Sequence, residues 1–136
     1  MNQIKILRFA ALAGGTAVAL GAFGAHGLQQ LAGQGKITPD QIKTFETAVR
    51  YQMYHALVLL IMPALAQLLN PKYSRYAANC FMSGILVFSG SLYFYSLSSL
   101  IFGTELKWLG AITPIGGLLF ISGWIFLFIS ALKKQK

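Results

Sequence analysis

Apolar positions along the chain gather into four long runs: Ile6 to Leu28, Thr47 to Leu69, Tyr76 to Phe102 and Trp108 to Leu132. Each is long enough to carry a helix across a hydrocarbon core of ~30 Å, which takes ~20 residues. The interruptions read QQLAGQGKITPD, NPKYSR and GTELK. These are turn and charge chemistry in short connections, which set successive helices antiparallel. The pattern predicts an all-α protein, a single transmembrane domain over residues 1–136 built as an up-down four-helix bundle. No fixed-period repeat, low-complexity tract or soluble-domain motif competes with that reading.

The first polar interruption ends in a helix start. Thr38 is placed to cap, Pro39 to occupy the first helical position, Asp40 to complement the dipole and Gln41 to close a capping box. Beyond it, Ile42, Phe45 and Val49 recur at helical spacing, and Glu46 precedes Arg50 by one i,i+4 step. A short amphipathic helix lying at the membrane surface and leading into the second run is the expectation.

Small residues mark the packing faces. Ala13, Ala17, Gly21 and Ala25 fall four apart on the first run, with Gly14, Gly15, Gly24 and Gly27 adding bare backbone. Such faces let a second helix approach closely, within the chain or from another copy. The last run repeats the device at Gly110, Gly116, Gly117 and Gly123, and Pro114 is placed to kink it near Thr113.

Composition fixes the solvent: 56% of residues are hydrophobic and only 10% charged, far from the balance of a soluble domain. The net charge of +8 then reports topology. Lys5, Arg8, Lys72, Arg75, Lys133, Lys134 and Lys136 fall on one side; Lys36, Lys43, Arg50, Lys107 and every acid, Asp40, Glu46 and Glu105, fall on the other. The cation-rich side is cytoplasmic by the positive-inside rule, so both termini are expected there, in a multi-pass protein of the cell's inner or plasma membrane. Scattered over loop ends, these cations form no nucleic-acid-binding face. The basic, apolar start MNQIKILRFAALAGG also resembles a secretory signal, but the apolar run continues past a typical signal core, which favours a retained span. Cys80, the one cysteine, excludes an internal disulfide or a Cys-x-x-Cys pair and reads as a small buried hydrophobe.

Polar residues within the spans are the candidates for chemistry. His26, Arg50 and His55 are expected at similar heights in the outer half, joined by Ser89, Ser91, Tyr93 and Tyr95 from the third run and by Trp108 and Thr113 from the fourth. In one reading this cluster binds, with Arg50 on a lipid phosphate and a histidine on a proton or a quinone-like carbonyl. In the other the polar groups tie helices together and Arg50 snorkels to the headgroups beside Glu46; the balance favours this second reading. Two histidines without a neighbouring acid or thiol make no metal site, no catalytic triad or phosphate loop is legible, and no cofactor is implied.

Four blocks carry a resemblance: GAFGAHGL at 21–28, TAVRYQMYHALVLL at 47–60, FSGSLYFYSL at 88–97 and ITPIGGLLFISGW at 112–124. In order and over nearly the whole chain, they resemble the family of domain of unknown function 423, which includes the bacterial YgdD-like and YwdK-like proteins and the eukaryotic transmembrane protein 256 group. The resemblance implies a four-helix inner-membrane protein and places His26, Arg50, Tyr51 and His55 at positions shared by the family's blocks. It brings no activity with it. The sequence thus points to a non-enzymatic structural or accessory membrane protein, surrounded by lipid and associated with itself or a larger complex. A lipid- or quinone-binding protein using His26, Arg50, His55, Tyr51 and Tyr93 is the alternative, and a lipid-modifying enzyme the third.

Overall fold

The computed structural model describes residues 3–132; Lys133, Lys134 and Lys136 lie outside them. The described chain is all helical. Helix α1 (Gln3–Phe23) runs through a π-helical turn (Gly24–Leu28) into α2 (Gln29–Gly33), so that one helical stretch of 31 residues takes up the first apolar run. Helix α3 spans Pro39–Ile61. Helix α4 (Pro71–Gly84) passes through a second π turn (Ile85–Ser89) into α5 (Gly90–Phe102), and a 3-10 turn (Lys107–Ala111) precedes α6 (Thr113–Leu132).

Local chemistry sets the ends of these helices. Thr38 has an extended backbone, its hydroxyl accepts from Gln41 N at 3.2 Å, and Gln41 Oε1 accepts from Thr38 N at 2.9 Å. That is the capping box read from the sequence, but it opens one continuous helix; no separate amphipathic helix precedes the second run. The exposed ion pair of this helix joins Asp40 to Lys43 at 3.6 Å, and Glu46 and Arg50 form no salt bridge. The helix stops at Ile61, well short of Leu69; Met62–Leu68 form turns and Leu69 a bend. Pro63 has no N–H to continue the ladder, and the chain closes instead through short bonds such as Ala64 N to Ile61 O at 3.0 Å and Leu68 N to Leu65 O at 2.9 Å. Asn70 caps α4 by accepting from Lys72 N at 3.1 Å, and Gly103, at φ 70°, ends α5 in the left-handed region open to glycine. Pro114 lies in the first turn of α6, where its missing N–H costs nothing, so it starts that helix rather than kinking it.

Helix α1 packs along α3, α3 against the α4–α5 stretch, and α4 with its π turn along α6. One apolar cluster joins Ile6, Ala10 and Ala13 to Ala56 and Leu59, Ala77 and Phe81, and Phe120. A second, at the opposite end, centres on Leu28, Ile37, Ile42 and Phe45. The end holding the start of α1, the finish of α3 and the start of α4 is tied to the last turn of α6: Asn70 N donates to Ser130 O and Ser130 Oγ to Asn70 O, both at 3.0 Å.

The exterior is apolar. Leu12, Val18, Leu86, Leu118 and Phe128 are each more than 60% exposed, a density of outward leucine and aromatic surface that water does not tolerate and hydrocarbon does. Three helical stretches, Gln3–Gly33, Pro71–Phe102 and Lys107–Leu132, are long and apolar enough to cross a membrane. Helix α3 is not among them, because Glu46, Arg50, Gln52 and His55 interrupt its apolar sequence.

Candidate functional site

The polar groups inside the helix assembly are assembled around α3. Gln52, buried on its α1-facing side, donates through Nε2 to Ala13 O and to Thr16 Oγ1, both at 2.8 Å, while its Oε1 accepts from the Tyr93 hydroxyl at 2.9 Å. One amide thus joins α1, α3 and α5. Nearer the start of α3, Gln41 Nε2 donates to Ser99 Oγ at 2.9 Å and the buried Ser89 hydroxyl donates to Ala48 O at 2.9 Å. The Ser91 and Thr113 hydroxyls meet at 2.9 Å and bind α5 to α6. Among the described residues, no buried side-chain nitrogen or oxygen lacks a partner.

His55 faces the other way, toward α6. Its ring stacks on Phe120 at a centroid distance of 3.6 Å and an interplanar angle of 6°. Nδ1 lies 2.8 Å from Tyr51 O, and Trp124 Nε1 donates to Nε2 at 3.3 Å. A carbonyl can only accept and an indole N–H can only donate. The two contacts therefore specify the tautomer with the proton on Nδ1, and both ring nitrogens are in use. Beside this histidine, Tyr51, Tyr54, Phe88, Phe120 and Trp124 wall an open aromatic cavity of about 520 Å³ between α3 and α6.

The side chains singled out from the sequence do not share one cavity. Tyr51 and His55 line the aromatic cavity. Tyr93 lines a groove of about 290 Å³ with Gln52 and Thr16, on the α1 side. Arg50, exposed, borders a shallow groove of about 250 Å³ with Gly21, Gly24 and Glu46. Nor do they share one height. His26 sits in the first π turn, just past Gly24, whose backbone faces the Phe45 ring, whereas His55 follows Phe45 by ten residues of α3, about 15 Å along the axis. Arg50 falls midway between, at the middle of α3 rather than at its start. The shift has a plain cause: the second run is helical from Pro39 to Ile61, not from Thr47 to Leu69.

Gln52 and Trp124 are the polar anchors that charge-based reading passes over. A neutral amide in the apolar run TAVRYQMYHALVLL was the available signal for Gln52, since an uncharged polar group in hydrocarbon also needs a partner. Nothing local marked Trp124, whose partner His55 lies 69 residues away in the chain.

Small residues set how closely the helices approach. Ala13 and Ala17 are buried, and a Cβ on Gly21 would stand 3.4 Å from Val49; Ala25 is exposed. Gly84 and Gly123, on α4 and α6, receive the rings of Phe120 and Phe81 reciprocally, so a Cβ would come within 2.5 Å and 2.6 Å of those rings. A Cβ on Gly116 would overlap the Phe88 backbone in the second π turn, while one on Gly117 would stop 4.0 Å from the Phe88 ring.

An apolar exterior around three membrane-length helices, with polar side chains bonded internally, defines an integral helical membrane protein. Within that class, the chain belongs to the family described as protein of unknown function DUF423, whose profile matches residues 20–117. It is 46% identical over 117 residues to UPF0382 membrane protein SAB0533 of Staphylococcus aureus, covering 86% of each chain. It is 45% identical over 118 residues to UPF0382 membrane protein YwdK of Bacillus subtilis, covering 86% of this chain and 87% of that one. No solved structure matches it. The matched region contains His26, Arg50, Gln52, His55 and Tyr93, and Trp124 lies beyond it.

Proposed function

We propose that this protein is a non-enzymatic structural or accessory protein of the inner or plasma membrane. In this reading α3 is a fourth span, both termini are cytoplasmic, and the chain associates with itself or with a larger membrane complex through its small-residue faces. The observation that carries the reading is the Gln52 junction: an amide whose three hydrogen bonds reach α1 and α5 is committed to holding helices, with both of its N–H donors taken up within the protein. Ala13, Ala17 and Gly21 on α1, and Gly116 on α6, serve the same purpose by close approach; Gly117, with room for a Cβ, and Ala25, exposed, are free for a contact with another copy.

Gln52→Leu tests this. Membrane hydrogen bonds are worth roughly 0.6–2 kcal/mol each, so the variant should melt several degrees lower in detergent while retaining the same bound lipids and partners. Loss of a co-purifying molecule at unchanged melting temperature would overturn the reading. The aromatic cavity beside His55 supports a second one, binding of a flat apolar ring of quinone type. With both His55 nitrogens committed, the Tyr51 and Tyr54 hydroxyls would have to meet the ligand's carbonyls. Native mass spectrometry of protein released gently from its membrane decides between the two.

A further inference from the structure

A different cavity lies at the end of the molecule where α1 begins and the Met62–Leu69 segment leads into α4. It encloses about 220 Å³ and has two chemistries on its wall. Ile6, Met62 and Pro63 form an apolar side, and Gln3, Ser74 and Arg75 a polar one. Cavities filled by drug-sized ligands begin near ~300 Å³, so this one has room for a headgroup and not for a whole lipid.

Charge points the same way. Lys5, Arg8, Lys72 and Arg75 all belong to this end, and the chain's three acids, Asp40, Glu46 and Glu105, all lie near the other. No carboxylate side chain is therefore within reach to neutralise Arg75. The non-helical backbone of Met62–Leu69 exposes Leu65 and Leu68, and irregular backbone facing lipid is excluded from the hydrocarbon interior. That places the cavity at headgroup level, where an anionic phosphate meets a guanidinium and its acyl chains leave along apolar wall.

We propose that this cavity binds the phosphate of an anionic phospholipid headgroup, with Arg75 as the phosphate contact. The site is independent of the Gln52 junction and of the aromatic cavity. Its test compares retention of phosphatidylglycerol and phosphatidylcholine by the intact, detergent-purified protein in native mass spectrometry, for the wild type, Arg75→Gln and Lys72→Gln. Lys72 is exposed on the same helix but outside the cavity wall, so both variants lose one charge and only one loses the site. Phosphatidylglycerol should be retained over phosphatidylcholine, and Arg75→Gln should lower that retention by about fivefold or more, against less than about twofold for Lys72→Gln. Ala66→Phe, which fills the cavity without changing charge, should expel the lipid at unaltered helicity. Equal retention of the two lipids, equal losses in the two charge variants, or full retention in Ala66→Phe overturns the proposal. Displacement of the lipid by inorganic phosphate at millimolar concentration also overturns it, in favour of a free anion.

Discussion

Gly116 and Gly117 are adjacent, both in α6 and both part of the same small-residue block, yet they face different obstacles. At Gly116 the obstacle is the backbone of Phe88 itself, which cannot rotate aside; at Gly117 it is the edge of the Phe88 ring at ordinary contact distance. Overpacking a close helix contact costs about 1–3 kcal/mol. Gly116→Ala should therefore lower the melting temperature by several degrees, whereas Gly117→Ala should leave it nearly unchanged. Gly14, with no atom within 4 Å of an added Cβ, provides the control: Gly14→Ala should be neutral or slightly stabilising, as removing a helix-interior glycine usually is. Thermal melts of the three purified variants check the order. A harmless Gly116→Ala would mean that Phe88 does not press against α6 in solution.

At the scale of elements, what could be read from sequence is what is decided locally. The start of α3 was legible because a capping box uses residues three apart, and Thr38, Pro39 and Gln41 carry it in plain view. Thr38→Ala should cost about 1 kcal/mol and should appear in hydrogen exchange as faster opening of Asp40 to Phe45, with the half of α3 beyond Gln52 unaffected. Uniformly faster exchange along α3 would show instead that the helix opens as one unit. The finish of α3 was not legible, because MPALAQLLN is as apolar as the helix before it and hydropathy cannot separate an apolar turn from a span. Counting the span from Thr47 instead of Pro39 put Arg50 at its boundary rather than its middle and gathered three separate polar environments into a single cluster. Neither π turn was foreseen. The second places the Phe88 backbone against Gly116 and the Ser89 hydroxyl on Ala48 O, contacts that exist only once α3, the α4–α5 stretch and α6 have met.

For the whole molecule, the open matter is whether α3 crosses the membrane, and the charges at the two ends make it testable. A lone arginine at the centre of an inserting helix costs about 2.5–3.5 kcal/mol on insertion scales, and Arg50 sits at the middle of α3 with no salt bridge. Against that cost stand three companions long and apolar enough to cross and the polar bonds that Gln41, Gln52 and His55 make with them. A groove beside Gly21 and Gly24 also lets the guanidinium run along bare backbone toward the headgroups. The two ends differ in charge as well: Lys5, Arg8, Lys72 and Arg75 stand without acids, while Lys36, Lys43 and Lys107 are balanced by Asp40, Glu46 and Glu105. If α3 spans, reporters inserted at Gln34 and after Asn70 should report opposite sides of the membrane, with the Asn70 site and a fusion after Lys136 both cytoplasmic. Reporters on the same side at Gln34 and Asn70 would leave α3 as a helix lying among the others without crossing. An external Lys136 fusion would invert the orientation drawn from the cations. In either case Arg75 would keep its place in the fold, but the leaflet whose lipids it faces would change, so the topology measurement also decides which lipids the cavity at that end can meet.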